Sequence, residues 1–273
     1  MKAFSECPNR CSTPQYTLFP KDKKELKQMI KNEIDKQGQE ADLNHIDVSK
    51  ITDFSNLFNE SNFNGDISKW DVSNAINMHS MFLEAHEFNG DISDWDVSNV
   101  KDMSWMFWNC TSFNQDLSGW DVSKVTKANS MFYKAKSFNG DVSTWDVRNV
   151  RDMCGMFYGC EQFNCNLKRW NTKNVEDMGW VFYGCKNFNQ DLSRWNVSKV
   201  AIMSKMFCFA QSFDQDISSW DVSNVTNMHA MFSNASMFRH DISGWDVSNV
   251  GDVAKIFDNC PCPEEYQPKF NCK

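Results

Sequence analysis

The sequence predicts an α/β solenoid, a right-handed array of 25-residue repeats with one short strand and one short helix per coil and a capping helix at its N-terminal end. Three observations carry this. A stretch exemplified by Phe88 to Ser112, FNGDISDWDVSNVKDMSWMFWNCTS, recurs without insertion in eight copies beginning at Phe63, Phe88, Phe113, Phe138, Phe163, Phe188, Phe213 and Phe238. Inside each copy the apolar residues first alternate and later fall at helical spacing. Ahead of the array stands a segment with helix start and stop signals.

The chain divides into an N-terminal segment and capping helix (1–42), the repeat array (43–262) and a C-terminal cap (263–273). Residues 1–20 read as irregular, punctuated by Pro8, Pro14 and Pro20. Cys7 and Cys11 in CPNRC leave open a bond to each other or a metal. Asp22 and Glu25 form a capping box, Leu26, Met29, Ile30 and Ile34 line one face, and Gly38 ends the segment. The expected role of this helix is to cover the exposed first coil. A half-copy from Asp47 to Phe58 precedes the first full copy and is one residue short. At the far end Cys260-Pro261-Cys262-Pro263 stops the repeat, because proline removes the donors a next coil would need. Pairing of Cys272 with Cys260 or Cys262 is left open.

Numbering each copy from its first Phe shows which slots cannot vary. Slot one is Phe, slot eight Trp and slot twenty Phe in all eight copies, slot five is Ile, Leu or Val, and slots sixteen and nineteen are mostly Met. Phe-Asn-Gly-Asp-Ile-Ser alternates as a short strand would, and Met103, Met106, Phe107 and Cys110 fall at i, i+3, i+4 and i+7 as one face of a short helix. One copy has too little apolar surface to fold alone, so neighbours must share faces and backbone hydrogen bonds.

A net charge of -8 argues against a dedicated nucleic-acid binder. No stretch has the uninterrupted apolar length of a membrane span. MKAFSECPNRCSTPQYTLFP has no apolar run typical of a secretory peptide, so a cytoplasmic chain, or one exported by another route, is expected. The five histidines are scattered and no nucleophile-elbow or phosphate-loop pattern occurs, so no enzyme and no cofactor are expected.

Slots four and nine form acidic columns, Asp91 and Asp96 being typical, with Asn166, Asn171 and Asn196 as exceptions. Stacked carboxylates suit Ca²⁺, but the asparagines say that hydrogen bonding matters and charge does not, which favours turn closure and no metal. The Trp column suits either packing or a sugar-stacking ladder, and its constancy favours packing. Cys110, Cys160, Cys185 and Cys260 share slot twenty-three with Ala in the other copies, a pattern of small buried thiols; a Cys160–Cys185 bridge is not favoured.

The variable slots carry the candidate partner-binding residues. Slots eighteen, twenty-one and twenty-two hold Trp105, Trp108, Tyr133, Tyr158, Trp180, Tyr183 and Phe209 in the central copies. On the wet side of the short helix these rings would serve as anchors, although packing between neighbouring coils would use them too. The same copies hold Arg148, Arg151, Arg169 and Arg194, with Lys168, Lys173 and Lys199, on an otherwise acidic chain, a patch able to steer an acidic partner or anionic glycan.

The motif FNxDIxxWDVSNVxxMxxMFxxC resembles the BspA-like repeat family, a leucine-rich-repeat-like (LRR-like) group of surface proteins, over residues 43–262. That resemblance implies a curved LRR-type solenoid used for adhesion or protein recognition, a cell-surface or secreted location and no enzymatic activity. The expected function is thus a non-enzymatic, adhesin-like scaffold that binds a protein or glycan partner through its central repeats. Rival expectations are a self-associating component of a surface layer or particle shell and a calcium-stabilised adhesin.

Overall fold

The computed structural model describes residues 16–270. Its one α-helix, α1 (Lys23–Gln37), is bounded by the residues that predicted it. The Asp22 side chain accepts from the Glu25 backbone N–H at 2.9 Å, Glu25 accepts from the Lys21 N–H at 3.0 Å, and Gly38 closes the helix at φ +86° with its N–H on the Ile34 carbonyl. Leu26 and Ile30 are buried and Met29 and Ile34 partly so. Lys23 ties the helix to the half-copy through Asp53 and Ser55.

The copies stack in register. Single parallel bridges link slot fifteen of each coil to the next, running Asp53, Asn77, Asp102, Lys127, Asp152, Asp177, Ile202, Asn227 and Asp252. Between coils the invariant residues form ladders. Slot-one rings stack at 5.9–6.4 Å from Phe63 to Phe238. Slot-twenty rings stack at 5.4–5.9 Å from Phe58 to Phe257. Every slot-eight Trp is buried and donates its indole N–H to the slot-five carbonyl of the preceding coil, as Trp145 does to Leu117 at 2.9 Å. This double demand, a large apolar body and one donor at a fixed place, accounts for the constancy of Trp.

The expected strand and helix of each coil are absent: among the described residues there is no strand, and α1 is accompanied only by a 3-10 turn at Glu264–Tyr266. The α/β, LRR-like description of the coil is therefore wrong, for a reason visible in where the backbone donors go. In slots one to six the alternation of buried and exposed residues is real. Yet the slot-two N–H is met by the Asn side chain of the coil before, as in Asn89 to Asn64 and Asn114 to Asn89, so no backbone ladder forms. Over slots sixteen to twenty-three Met103, Met106, Phe107 and Cys110 are fully buried at their helical spacing. Their backbone is a run of tight turns. Met103, Trp105, Phe107 and Asn109 donate to Lys127, Asn129, Met131 and Tyr133 of the next coil, while Met106, Trp108 and Cys110 donate back three residues. Left-handed residues at slots eighteen and twenty-two, Trp105 at φ +61° and Asn109 at φ +54°, turn alternate N–H groups outward to make this possible.

At the C-terminal end the Tyr266 carbonyl accepts from the Ile242 N–H at 2.9 Å, Gln267 binds the Cys262 carbonyl, and Phe270 packs partly buried on the core. Cys110, Cys154, Cys160, Cys165, Cys185, Cys208, Cys260 and Cys262 are free thiols, Cys160 and Cys185 among them. Cys7, Cys11 and Cys272 lie outside the described residues.

Candidate recognition surface

The turns that close each coil are built by the acidic columns. At slot four Asp91 accepts from the Ser93 N–H at 3.0 Å, and at slot nine Asp96 does the same for Ser98. Asn166 and Asn196 accept equivalently from Lys168 and Ser198 at 3.0 Å, which is why amide and carboxylate interchange there. Hydrogen bonds from the Ser93 side chain and backbone hold the Asp91 carboxyl below its usual range, and Asp121, Asp216 and Asp221 are lowered in the same way.

The slot-twenty-one residues make a second aromatic column, this one at the surface. Trp108 stacks on Tyr133 at 3.7 Å, Tyr133 on Tyr158 at 4.1 Å and Tyr158 on Tyr183 at 4.4 Å, all within 7° of parallel, and Phe209 ends it edge-on at 5.6 Å from Tyr183. All four stacked rings are half-buried. Trp105 and Phe209 are exposed, at 39% and 40%. Trp105 leans on Trp108 at 5.1 Å, and Trp180 lies 5.7 Å from both Tyr158 and Tyr183. Ring faces within the column are thus used between coils, while Trp105 and Phe209 are exposed and Trp180 is half-buried. Burial, then the neighbouring Tyr158, pushes the Tyr133 phenol up to about 12, so it presents a donor at neutral pH.

Two neighbours of the column escaped the sequence reading. Lys205 places its ammonium 4.3 Å from the Trp180 ring centre, and His79 lies 5.8 Å from Trp105. Their slot relation, one coil away at slots eighteen and seventeen, was visible in the repeat alignment but needed the coil geometry to mean anything. A third set, Asp152, Cys154 and Asp177, brings two carboxylates and a thiol within 4.8 Å of one another.

The basic residues separate into two kinds. Arg148 is paired with Asp146 at 2.7 Å, Arg151 with Glu176 at 3.6 Å and Lys168 with Asp191 at 2.5 Å. Arg169 and Arg194 have neither ion pair nor hydrogen bond among the described residues, and both are exposed. With Ser143, Asn166 and Lys168 they line a depression of about 360 Å³. None of the aromatic residues lines it, so the two groups are distinct surface features. No described helix is long and apolar enough to cross a membrane.

No curated protein matches this chain. Among solved structures, the crystal structure of a TLR13–ssRNA13 complex is similar at 12% identity with a TM-score of 0.12, over 71% of this chain and 44% of that one. This chain thus spans less than half of that one's length, and a likeness so slight bears on neither fold nor function. A family model described as "Mycoplasma protein of unknown function, DUF285" matches residues 24–143, 116–208 and 159–269 in overlapping segments, as a repeated unit would. From α1 to the C-terminal turn, the chain belongs to that family.

Proposed function

We propose that the chain is a non-enzymatic recognition scaffold, adhesin-like in the manner of BspA-type surface proteins, whose central coils bind a protein or glycan partner. One observation carries this reading: the slots held constant across copies are buried in ladders, whereas slots eighteen, twenty-one and twenty-two, which vary, hold large half-buried or exposed aromatic residues in the middle of the array. Trp105, Trp180 and Phe209 add weight. They occupy left-handed backbone positions at φ +61°, +64° and +59°, where other coils carry Gly155, Gly159 and Gly184 or smaller and polar residues such as Ser80, Ser130, Lys205 and Asn234. A bulky side chain in that region costs on the order of 1 kcal/mol, so its presence asks for a return that burial does not supply.

The test is affinity capture from host-cell surface extracts, with identification of the retained species. The intact chain is compared with one carrying Trp105, Trp108, Tyr158 and Tyr183 changed to Ser, and with Trp105→Ser/Phe209→Ser, which leaves the stacked column in place. A partner retained by the intact chain and lost from both variants supports the aromatic surface as its site. Equal capture by all three rejects it.

A further inference from the structure

We infer that the depression between Arg169 and Arg194 is a binding site for the anionic group of an acidic saccharide, a carboxylate or sulfate on a sugar ring. The inference rests on the recognition reading above and gives it a ligand class.

The coil beginning at Phe163 departs from its siblings most in charge, alongside Cys165 at slot three and Thr172 at slot ten. Slot four is Asn166 where the other seven copies have Asp, and slot six is Lys168 where the other seven have Ser. Slots nine and eleven are Asn171 and Lys173, where most copies have Asp and Ser. Both turns survive the exchange, since Lys168 and Lys173 still donate their N–H groups to the Asn166 and Asn171 side chains, at 3.0 and 3.4 Å. Trp170 keeps its bond to Val142 at 2.9 Å. The turn bonds and the indole bond persist through the swap, so the altered charge is available for another purpose.

Two arginines complete the feature. Arg169 and Arg194 occupy slot seven of consecutive coils, and the tryptophans beside them, Trp170 and Trp195, stack with centroids 6.2 Å apart. Lys69 and Asp94 are the only other charged residues in that column, and small Thr144 and Ser219 flank the pair, opening the notch. Two guanidiniums that line one depression without an ion pair among the described residues repel one another, and an oxyanion bound by both removes that repulsion and gains charge-assisted hydrogen bonds. Lys168 is occupied by Asp191, so the unanswered charge belongs to the arginines.

A saccharide is favoured over a peptide by what adjoins the notch. Asn114, Asn139, Asn164, Gln162 and Asn187 line a shallow groove of about 640 Å³ across the same coils. Asn164 lines the groove and Asn166, two residues on, lines the notch. The Oδ1 atoms of Asn114, Asn139 and Asn164 accept the next coil's N–H groups, which leaves their Nδ2 groups as a row of donors to sugar hydroxyls, and a depression of about 360 Å³ has room for one ring and its charged substituent.

The test is calorimetric titration of the intact chain with four probes: a heparin-derived hexasaccharide, a hyaluronan hexasaccharide carrying carboxylates alone, neutral chitohexaose and hexaglutamate. Binding of either anionic saccharide, weakened by salt, with chitohexaose inert, supports the inference, and the two saccharides separate sulfate from carboxylate. Arg169→Gln/Arg194→Gln is expected to weaken that binding by roughly tenfold or more. Lys24→Gln/Lys31→Gln on α1, two exposed residues outside the notch, removes the same formal charge and is expected to change it by less than about twofold. Equal losses in the two variants, hexaglutamate binding as tightly as the saccharides, or no binding of either anionic saccharide overturns the inference. These outcomes are independent of the aromatic variants in the capture assay, so the two readings fail separately.

Discussion

Trp145 offers the sharpest test of how the array is held together. Its indole lies between Trp120 at 6.3 Å and Trp170 at 6.2 Å, within 5° of parallel to each, and donates to the Leu117 carbonyl at 2.9 Å. Trp145→Phe removes the donor and about two ring carbons. Leu117 keeps its bond from the Trp120 backbone N–H at 3.1 Å, so its carbonyl is not stranded. The loss is therefore that of a net hydrogen bond, about 0.5–1.5 kcal/mol, and not the larger penalty of an orphaned acceptor. The missing carbons add about 1.6 kcal/mol at about 0.8 each, giving a total of about 2–3 kcal/mol. Trp245 provides the internal control. It stacks on Trp220 alone, and its bond to Ile217 is longer, at 3.3 Å. The same substitution there removes the same carbons from a buried site but a longer bond, so it should cost somewhat less and no more than at Trp145. Guanidinium denaturation followed by far-UV dichroism measures both. A larger loss at Trp245 than at Trp145, or a loss below about 1 kcal/mol at Trp145, would refute the view that buried indoles couple coils through a directed donor.

Two further outcomes follow from the turns and the thiols. Because Asp91, Asp121, Asp216 and Asp221 have folded-state pKa values lowered first by Ser side chains, they contribute stability that is present above the ordinary Asp range, ~3.9, and lost as pH falls through their lower folded values. An acid melt should show this loss below about pH 4. Asp216→Asn/Asp221→Asn, which keeps both turn bonds as Asn166 and Asn196 do, should shallow the acid limb; an unchanged limb would exclude the carboxyl–serine bonds as its cause. Cys160 and Cys185 are fully buried, donate at 2.9 Å to the Phe132 and Phe157 carbonyls, and have thiols pushed upward by burial. Aromatic disulfide reagents should label neither until the chain is denatured, and Cys160→Ala should cost less than about 1 kcal/mol, since Ala fills the slot in other coils. Rapid native labelling of either would contradict the packing.

What could be read from the sequence divides along the line between local and long-range bonding. Helix α1 was legible to its ends because Asp22, Glu25 and Gly38 act within a turn of their own backbone. The buried set was legible because eight copies vote on each slot: Phe, Trp and Met are inside as expected. The backbone path was not, since an i, i+3, i+4, i+7 spacing says which side chains are buried and is silent on whether N–H groups turn inward to a helix or outward to the next coil. A warning existed in Gly155, Gly159 and Gly184, glycines set within an expected helix at slots that prove left-handed. Among site residues, the partial exposure of Trp105 and Phe209 followed from variation between copies. The stacking of Trp108, Tyr133, Tyr158 and Tyr183 required the register. So did the difference between Arg151, answered by Glu176 of the next coil, and Arg169, which has no ion pair among the described residues.

The same division explains how such an array can alter its surface without disturbing its core. Coils are joined by ring ladders, indole donors and backbone N–H groups at fixed slots, and few side chains at slots four, six, seven and eleven take part in that joining. Exchanging Asp for Asn and Ser for Lys at the turns of one coil moves its charge by several units while each turn bond persists. Trp170, inside that altered coil, remains 2% exposed and in step with Trp145 and Trp195. Surface chemistry is thereby set coil by coil and stability slot by slot. In a chain built this way the place to look for a ligand is a coil whose turns are intact and whose charges differ from its neighbours'.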